Sequence, residues 1–125
     1  MSCSRLFSFN DFVESFKRGE LDSLYLVKTV SMTYTGLIRS VSEDSLIMDL
    51  PLKFYAGQNV IYTPVIIAKE EIVSIKQVPI SDCATIETKN GTFSGEIENV
   101  YSNRMIINSK KGPVILYYQD FLDVE

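Results

Sequence analysis

Tyr101, Asn103, Arg104 and the pair Lys110-Lys111 carry the most suggestive chemistry in this chain. An aromatic ring with basic neighbours is what a single-stranded nucleic acid requires: a face on which a base stacks, and cations for its phosphates. The spacing sets a condition. If the surrounding strands form a meander, Tyr101 and Arg104 stand at one end of a strand and Lys110-Lys111 at the other. The two groups then do not meet, and the lysines become a solvated hairpin tip.

Other chemistry is harder to assemble. The chain has no histidine, so it lacks the commonest general base and metal ligand. Glu43-Asp44, Glu70-Glu71 and the Glu96/Glu98 pair are close carboxylates, of which only Glu96 and Glu98 share a strand face. They read as solvated faces. Serines, threonines and cysteines have no imidazole to activate them, and the glycines are too isolated for a phosphate cradle. No catalytic residue, cofactor site or metal site is expected, and the chain reads as a non-enzyme. Cys3 and Cys83 read as reduced thiols.

Composition narrows the partners. Of 125 residues, 46% are hydrophobic, enough for a core, and the net charge is −4. Residues 1–78 hold 8 basic and 9 acidic side chains, a net of −1; residues 79–125 hold 4 and 7, a net of −3. Neither half has the basic surplus of a duplex-DNA module. No apolar run approaches the roughly 18 residues of a membrane span. The opening MSCSRLFSF lacks the apolar stretch of a secretory leader. The expectation is a cytoplasmic protein with neither duplex DNA nor membrane as partner.

The elements that must position these residues follow from an internal repeat. Gly36–Asp49 reads GLIRSVSEDSLIMD and Gly95–Asn108 reads GEIENVYSNRMIIN, at an offset of 59. Thr29, Thr33 and Tyr34 match Thr88, Thr92 and Phe93. Further on the offset falls to 49, where Pro64-Val65-Ile66-Ile67 matches Pro113-Val114-Ile115-Leu116. Residues 50–63 thus face residues 109–112, and the first copy carries ten extra residues at one place. Insertions fall in hairpin tips, because packed strands do not absorb them. Two units follow, residues 1–78 and 79–125.

Ahead of the first copy, Phe9, Phe12, Val13 and Phe16 mark one face of a short helix over Ser8–Arg18. Ser8 and Asp11 suit its N-terminus, and Gly19 its end. Five strands are predicted in each copy: 24–30, 33–41, 45–49, 63–67 and 71–76, then 83–89, 92–100, 104–108, 113–118 and 121–124. Asn90-Gly91 is a strong two-residue hairpin signal. Gly36 and Gly95 mark a bulge or sharp bend. The connector QVPISD is too short and apolar to be a flexible linker, so the copies should touch.

A helix, a strand, Asn90-Gly91-Thr92-Phe93-Ser94-Gly95, a short turn and an apolar strand together resemble the Sm-like (Hfq and LSm) family. The resemblance covers most of the chain and implies two tandem five-stranded SH3-like barrels after one N-terminal helix. It also implies single-stranded RNA as a ligand. The family's Arg-Gly or Cys-Gly pair before the last strand is replaced by AKEE and YYQD. TYTGLIRSVSEDSLIMDLP followed by AGQNVIYTP is similar, more weakly, to the N-terminal barrel of PilZ flagellar-brake proteins. The PilZ signature itself is absent.

The extra segment, LPLKFYAGQNVIY, is the first copy's own feature. Alternation puts Leu52, Phe54, Val60 and Tyr62 on one face, with Tyr55 and Ile61 on the other. A hairpin apolar on both faces either covers the second copy's thin core or presents a partner surface. The leading reading is a binding or adaptor module acting through protein contacts or self-association. Single-stranded RNA binding and small-ligand or nucleotide binding at the junction of the copies are the alternatives.

Overall fold

The computed structural model of the chain describes residues 6–19, 21 and 23–125; Cys3 lies outside them. The order of elements is β1 (Leu6–Phe7), α1 (Phe9–Lys17), β2 (Tyr25–Thr29), β3 (Thr33–Val41), β4 (Ser45–Ala56), β5 (Asn59–Ala68) and β6 (Ile72–Gln77). It continues with β7 (Cys83–Thr88), β8 (Gly91–Val100), β9 (Arg104–Ser109), β10 (Gly112–Tyr117) and β11 (Phe121–Val124). One 3-10 turn, Lys69–Glu71, precedes β6, and another, Tyr118–Asp120, precedes β11. No described helix is long and apolar enough to cross a membrane.

The helix starts where its sequence says. The Asp11 N–H donates to Ser8 Oγ at 3.2 Å, satisfying one of the amides left over in the first turn. Gly19 takes the left-handed φ of +71° just past the end. Phe12 and Val13 are buried beneath the helix.

Two antiparallel sheets follow the repeat. Their strand orders are β1-β6-β2-β3-β4-β5 and β10-β9-β8-β7-β11. Without β1, one order serves both copies, and the register repeats with it. Tyr25 faces Gly36 as Ala84 faces Gly95, and the register slips after Ile38 as it does after Ile97. The Lys69 N–H donates to the Asp44 carbonyl at 2.8 Å, as Tyr118 N–H does to Asn103 at 3.1 Å. Thr29 Oγ1 closes its turn onto Met32 O at 2.8 Å, and Thr88 Oγ1 onto Gly91 O at 3.0 Å.

Three expectations need correction. The first sheet has six strands, because Leu6–Phe7 pairs with the outer edge of β6; two residues carry no periodic signal. Neither ladder of strands closes on itself. The inserted residues form the expected extended hairpin, but as part of β4 and β5, which run to 12 and 10 residues instead of stopping at the bounds 45–49 and 63–67.

The reason for Gly36 and Gly95 is also sharper than a bend. Both have ordinary φ values. A Cβ at Gly36 would collide with the Asp49 carbonyl oxygen of β4, and one at Gly95 with that of Asn108 in β9. The bare backbone lets two strands cross closely, and the bulge follows two residues on.

Two cores result. Phe7, Phe12, Tyr25, Val27, Leu46, Met48, Ile67 and Ile75 form the first, where the rings of Phe7, Phe12 and Tyr25 meet edge to face. In the second core, Ala84 stands where the repeat would place Tyr25's counterpart. Leu24, Leu26 and Val78, all from the first copy or the connector, are buried there with Ile86, Met105 and Ile107. Burying each such side chain is worth about 1.5–3 kcal/mol. Strand β2 thus does for the second core what α1 and β1 do for the first. Asp123 of β11 ties the seam, 2.9 Å from both Lys28 Nζ and Lys76 Nζ.

Candidate interaction surface

The long β4–β5 hairpin reaches from the first copy onto the second. Asn103 is 1% exposed and holds it there. Its Nδ2 donates to the Leu52 carbonyl at 3.0 Å, and its Oδ1 accepts from Tyr55 Oη at 3.4 Å and from Arg104 Nη1 at 3.0 Å. Arg104 Nη1 also donates to the Tyr55 hydroxyl. The guanidinium lies over the Tyr101 ring, 4.5 Å from its centroid. Tyr118 Oη donates to the Tyr101 carbonyl at 2.6 Å, and burial pushes this phenol's pKa well above its ordinary value despite the nearby Arg104. Nearer the strands, Lys53 Nζ sits 2.7 Å from Asp120 and over the Tyr117 ring, while its N–H donates to Gln119 Oε1 at 3.3 Å.

The structure therefore brings together residues expected to serve separate ends. Tyr101, Asn103 and Arg104, read as nucleic-acid contacts, meet Leu52 and Tyr55, read as partner contacts. Lys110 and Lys111 are exposed in the β9–β10 turn at the far end of β9 from Arg104. Six strand residues set that separation at about 16 Å. Gln119, Asp120 and Lys53 were not anticipated. Their sequence contexts show no motif, and only the fold brings positions 53 and 119 together.

The two faces of the hairpin also differ from the simple alternation. The register slips between Pro51 and Tyr55, so Tyr55 pairs directly with Val60 and shares its face. The hairpin does not fill the second core, where Leu24, Leu26 and Val78 already are. Phe54 remains 66% exposed.

Tyr62 opens onto something larger. Leu37, Tyr62, Ile80, Val100 and Tyr101 are all large apolar residues left exposed. They line one groove of about 300 Å³ together with Leu24, Ser23 and Ser102. The first copy, the connector and the second copy each contribute, and no charged residue lines it among the described residues. Strand β5, which carries Tyr62, is the outermost strand of its sheet, and Asn59–Ala68 contains no charged residue. Leu52 lines a different groove. No protein-family model matches the chain, and no curated protein or solved structure matches it either.

Proposed function

We propose that this chain is a cytoplasmic, non-enzymatic binding module of two tandem Sm-like units, each built on an open antiparallel sheet, and that it docks a protein partner across the junction of the copies. Convergence of Leu37, Tyr62, Ile80, Val100 and Tyr101 on one apolar groove carries the reading. Contiguous apolar surface rimmed by polar groups marks interaction sites, whereas scattered apolar residues do not. The partner offers an apolar, extended segment. The edge of β5 has backbone groups facing outward for a further strand, and strand addition would drop a side chain into the groove beside Tyr62. Pro64 removes one donor from that strand, as Pro113 does from β10 at the matching position. Prolines of this kind limit indiscriminate edge pairing. Docking is therefore placed along residues 59–63. Phe54, near the hairpin's tip on β4, extends the contact. The Sm-like reading is supported by the shared strand order and by the two glycine crossings.

A photo-crosslinking side chain at Tyr62, used in the native host, tests this. A discrete protein adduct, another copy of the chain included, that disappears with Val100→Glu is expected. Adducts to nucleic acid alone would transfer the site to the RNA reading. One observation favours that second reading: the Arg104 guanidinium stacks on the ring of Tyr101, a residue that stays 42% exposed.

A further inference from the structure

A second groove at the junction shares no lining residue with the first, has a volume of about 480 Å³ and draws on both copies. Its walls include Met32 and Leu52 from the first copy and Leu122 from the second. Such a volume is that of a small-molecule site. Its polar groups are unusual in kind. The chain has 16 acidic residues, yet among the described residues none lines this groove, and Lys89 is its one described charged side chain. Lys89 has no ion-pair partner among the described residues. Thr35, 5% exposed, also lines the groove, and its hydroxyl has no hydrogen-bond partner. Gln119 accepts from the Lys53 N–H through Oε1, which leaves its NH₂ as a donor. An ammonium, an amide NH₂ and a buried, unpartnered hydroxyl, set among apolar side chains and the further hydroxyls of Ser31, Thr33, Tyr34 and Thr63 with no described carboxylate, complement one kind of molecule. Leaving such a buried hydroxyl unpaired is costly, and an acceptor on a ligand would relieve that cost.

From this geometry we infer that the groove is a binding site for a small organic monoanion: an apolar, ring-sized body carrying one carboxylate or sulfonate. The anion pairs with Lys89 and accepts from Thr35 and Gln119, while the body lies against Met32, Leu52 and Leu122. This site is separate from the apolar groove proposed for a protein partner, and it stands or falls without it.

The probe pair 8-anilinonaphthalene-1-sulfonate and neutral N-phenyl-1-naphthylamine tests the inference on the full chain. They share a body and differ by the anion. Saturable binding of the sulfonate at one per chain is expected, with the neutral probe weaker by about tenfold, as loss of a charge-assisted contact requires. Lys89→Gln should abolish that difference without changing the melting temperature. Tyr62→Glu, in the other groove, should leave sulfonate binding intact. Methionine-methyl NMR locates the probe: the Met32 resonance should move, while Met48 and Met105, each in one core, should not. The site is refuted if the two probes bind alike or if Lys89→Gln has no effect. It is equally refuted if Tyr62→Glu removes the signal, or if Met32 stays still at saturation.

Discussion

Tyr25 and Leu26 are neighbours in β2 and are buried in different cores. A strand's alternation sends consecutive side chains to opposite faces. Here both faces are interior, so one five-residue strand anchors two packing units. The copies share structure at this point rather than simply touching.

The second copy should accordingly fail to fold alone. A fragment of residues 79–125 lacks Leu24, Leu26 and Val78 and exposes the core that they cover. Circular dichroism should show it unfolded or aggregated at all temperatures. In the full chain, Leu26→Ala should cost about 2–5 kcal/mol, the usual range for a buried leucine. Urea unfolding should remain a single transition. A cooperative melt of the isolated fragment would refute the shared core.

Acid should loosen the seam. Burial would raise the Asp123 pKa, but hydrogen bonds from Lys28 and Lys76 outweigh it and hold the carboxyl below its ordinary value. A carboxyl depressed in the folded state stabilises the fold above its unfolded pKa, and that contribution is lost as pH falls through the folded pKa. Stability should therefore drop below about pH 4. Asp123→Asn should lower stability at pH 7 and flatten the acid limb, in urea titrations at several pH values. Equal pH profiles for the two proteins would count against the ion pairs.

Gly36→Ala and Gly95→Ala should each destabilise by at least about 1–3 kcal/mol, the usual cost of forcing atoms into packed space. The obstacle is backbone on the neighbouring strand, which no rotamer change relieves. Parallel losses of melting temperature at both sites are the expected reading. A neutral effect at either would mean that the crossing relaxes.

The repeat was the most legible part of the sequence. Matching residues at offsets of 59 and 49 correspond to matching ladders, turns and glycine crossings. Periodicity also placed α1 and the strand that begins at Thr33 and ends at Val41. What stayed hidden depended on long-range geometry. Nothing in Leu24 or Leu26 announces that the outer face of β2 is interior, since an apolar run reads the same whether one core or two receives it. The latch residue Asn103 looked like a loop polar group near basic chemistry. Only its contacts to positions 52 and 55 show it as a structural centre. The slip between Pro51 and Tyr55 similarly defeated a strict period of two.

Nucleic-acid binding should be weak and salt-sensitive. Net charge is −4, and the basic groups at Arg104 and Lys110-Lys111 stand apart. Affinity for a single-stranded oligonucleotide should be about micromolar or weaker at physiological salt, since few phosphates are neutralised. Tyr101→Ala should reduce whatever binding fluorescence anisotropy detects. Nanomolar affinity that survives high salt would place RNA ahead of a protein partner.

The hairpin latch makes three substitutions separable. Phe54→Glu alters an exposed ring and should leave the melting temperature nearly unchanged. Tyr55→Phe deletes one hydroxyl shared by Asn103 and Arg104, and should cost about 0.5–1.5 kcal/mol, the net value of a typical hydrogen bond. Asn103→Ala should cost more. It leaves the Leu52 carbonyl without its donor and Arg104 without one acceptor, and an unsatisfied buried group costs about 1–3 kcal/mol. The Asn103→Ala hairpin should also exchange its amide hydrogens faster around residues 52–60, because the second copy no longer holds it. The order Asn103→Ala, then Tyr55→Phe, then Phe54→Glu is the outcome to check by urea unfolding and hydrogen exchange. If Phe54→Glu proves the most damaging, the hairpin is packed through its ring and the partner surface loses that residue.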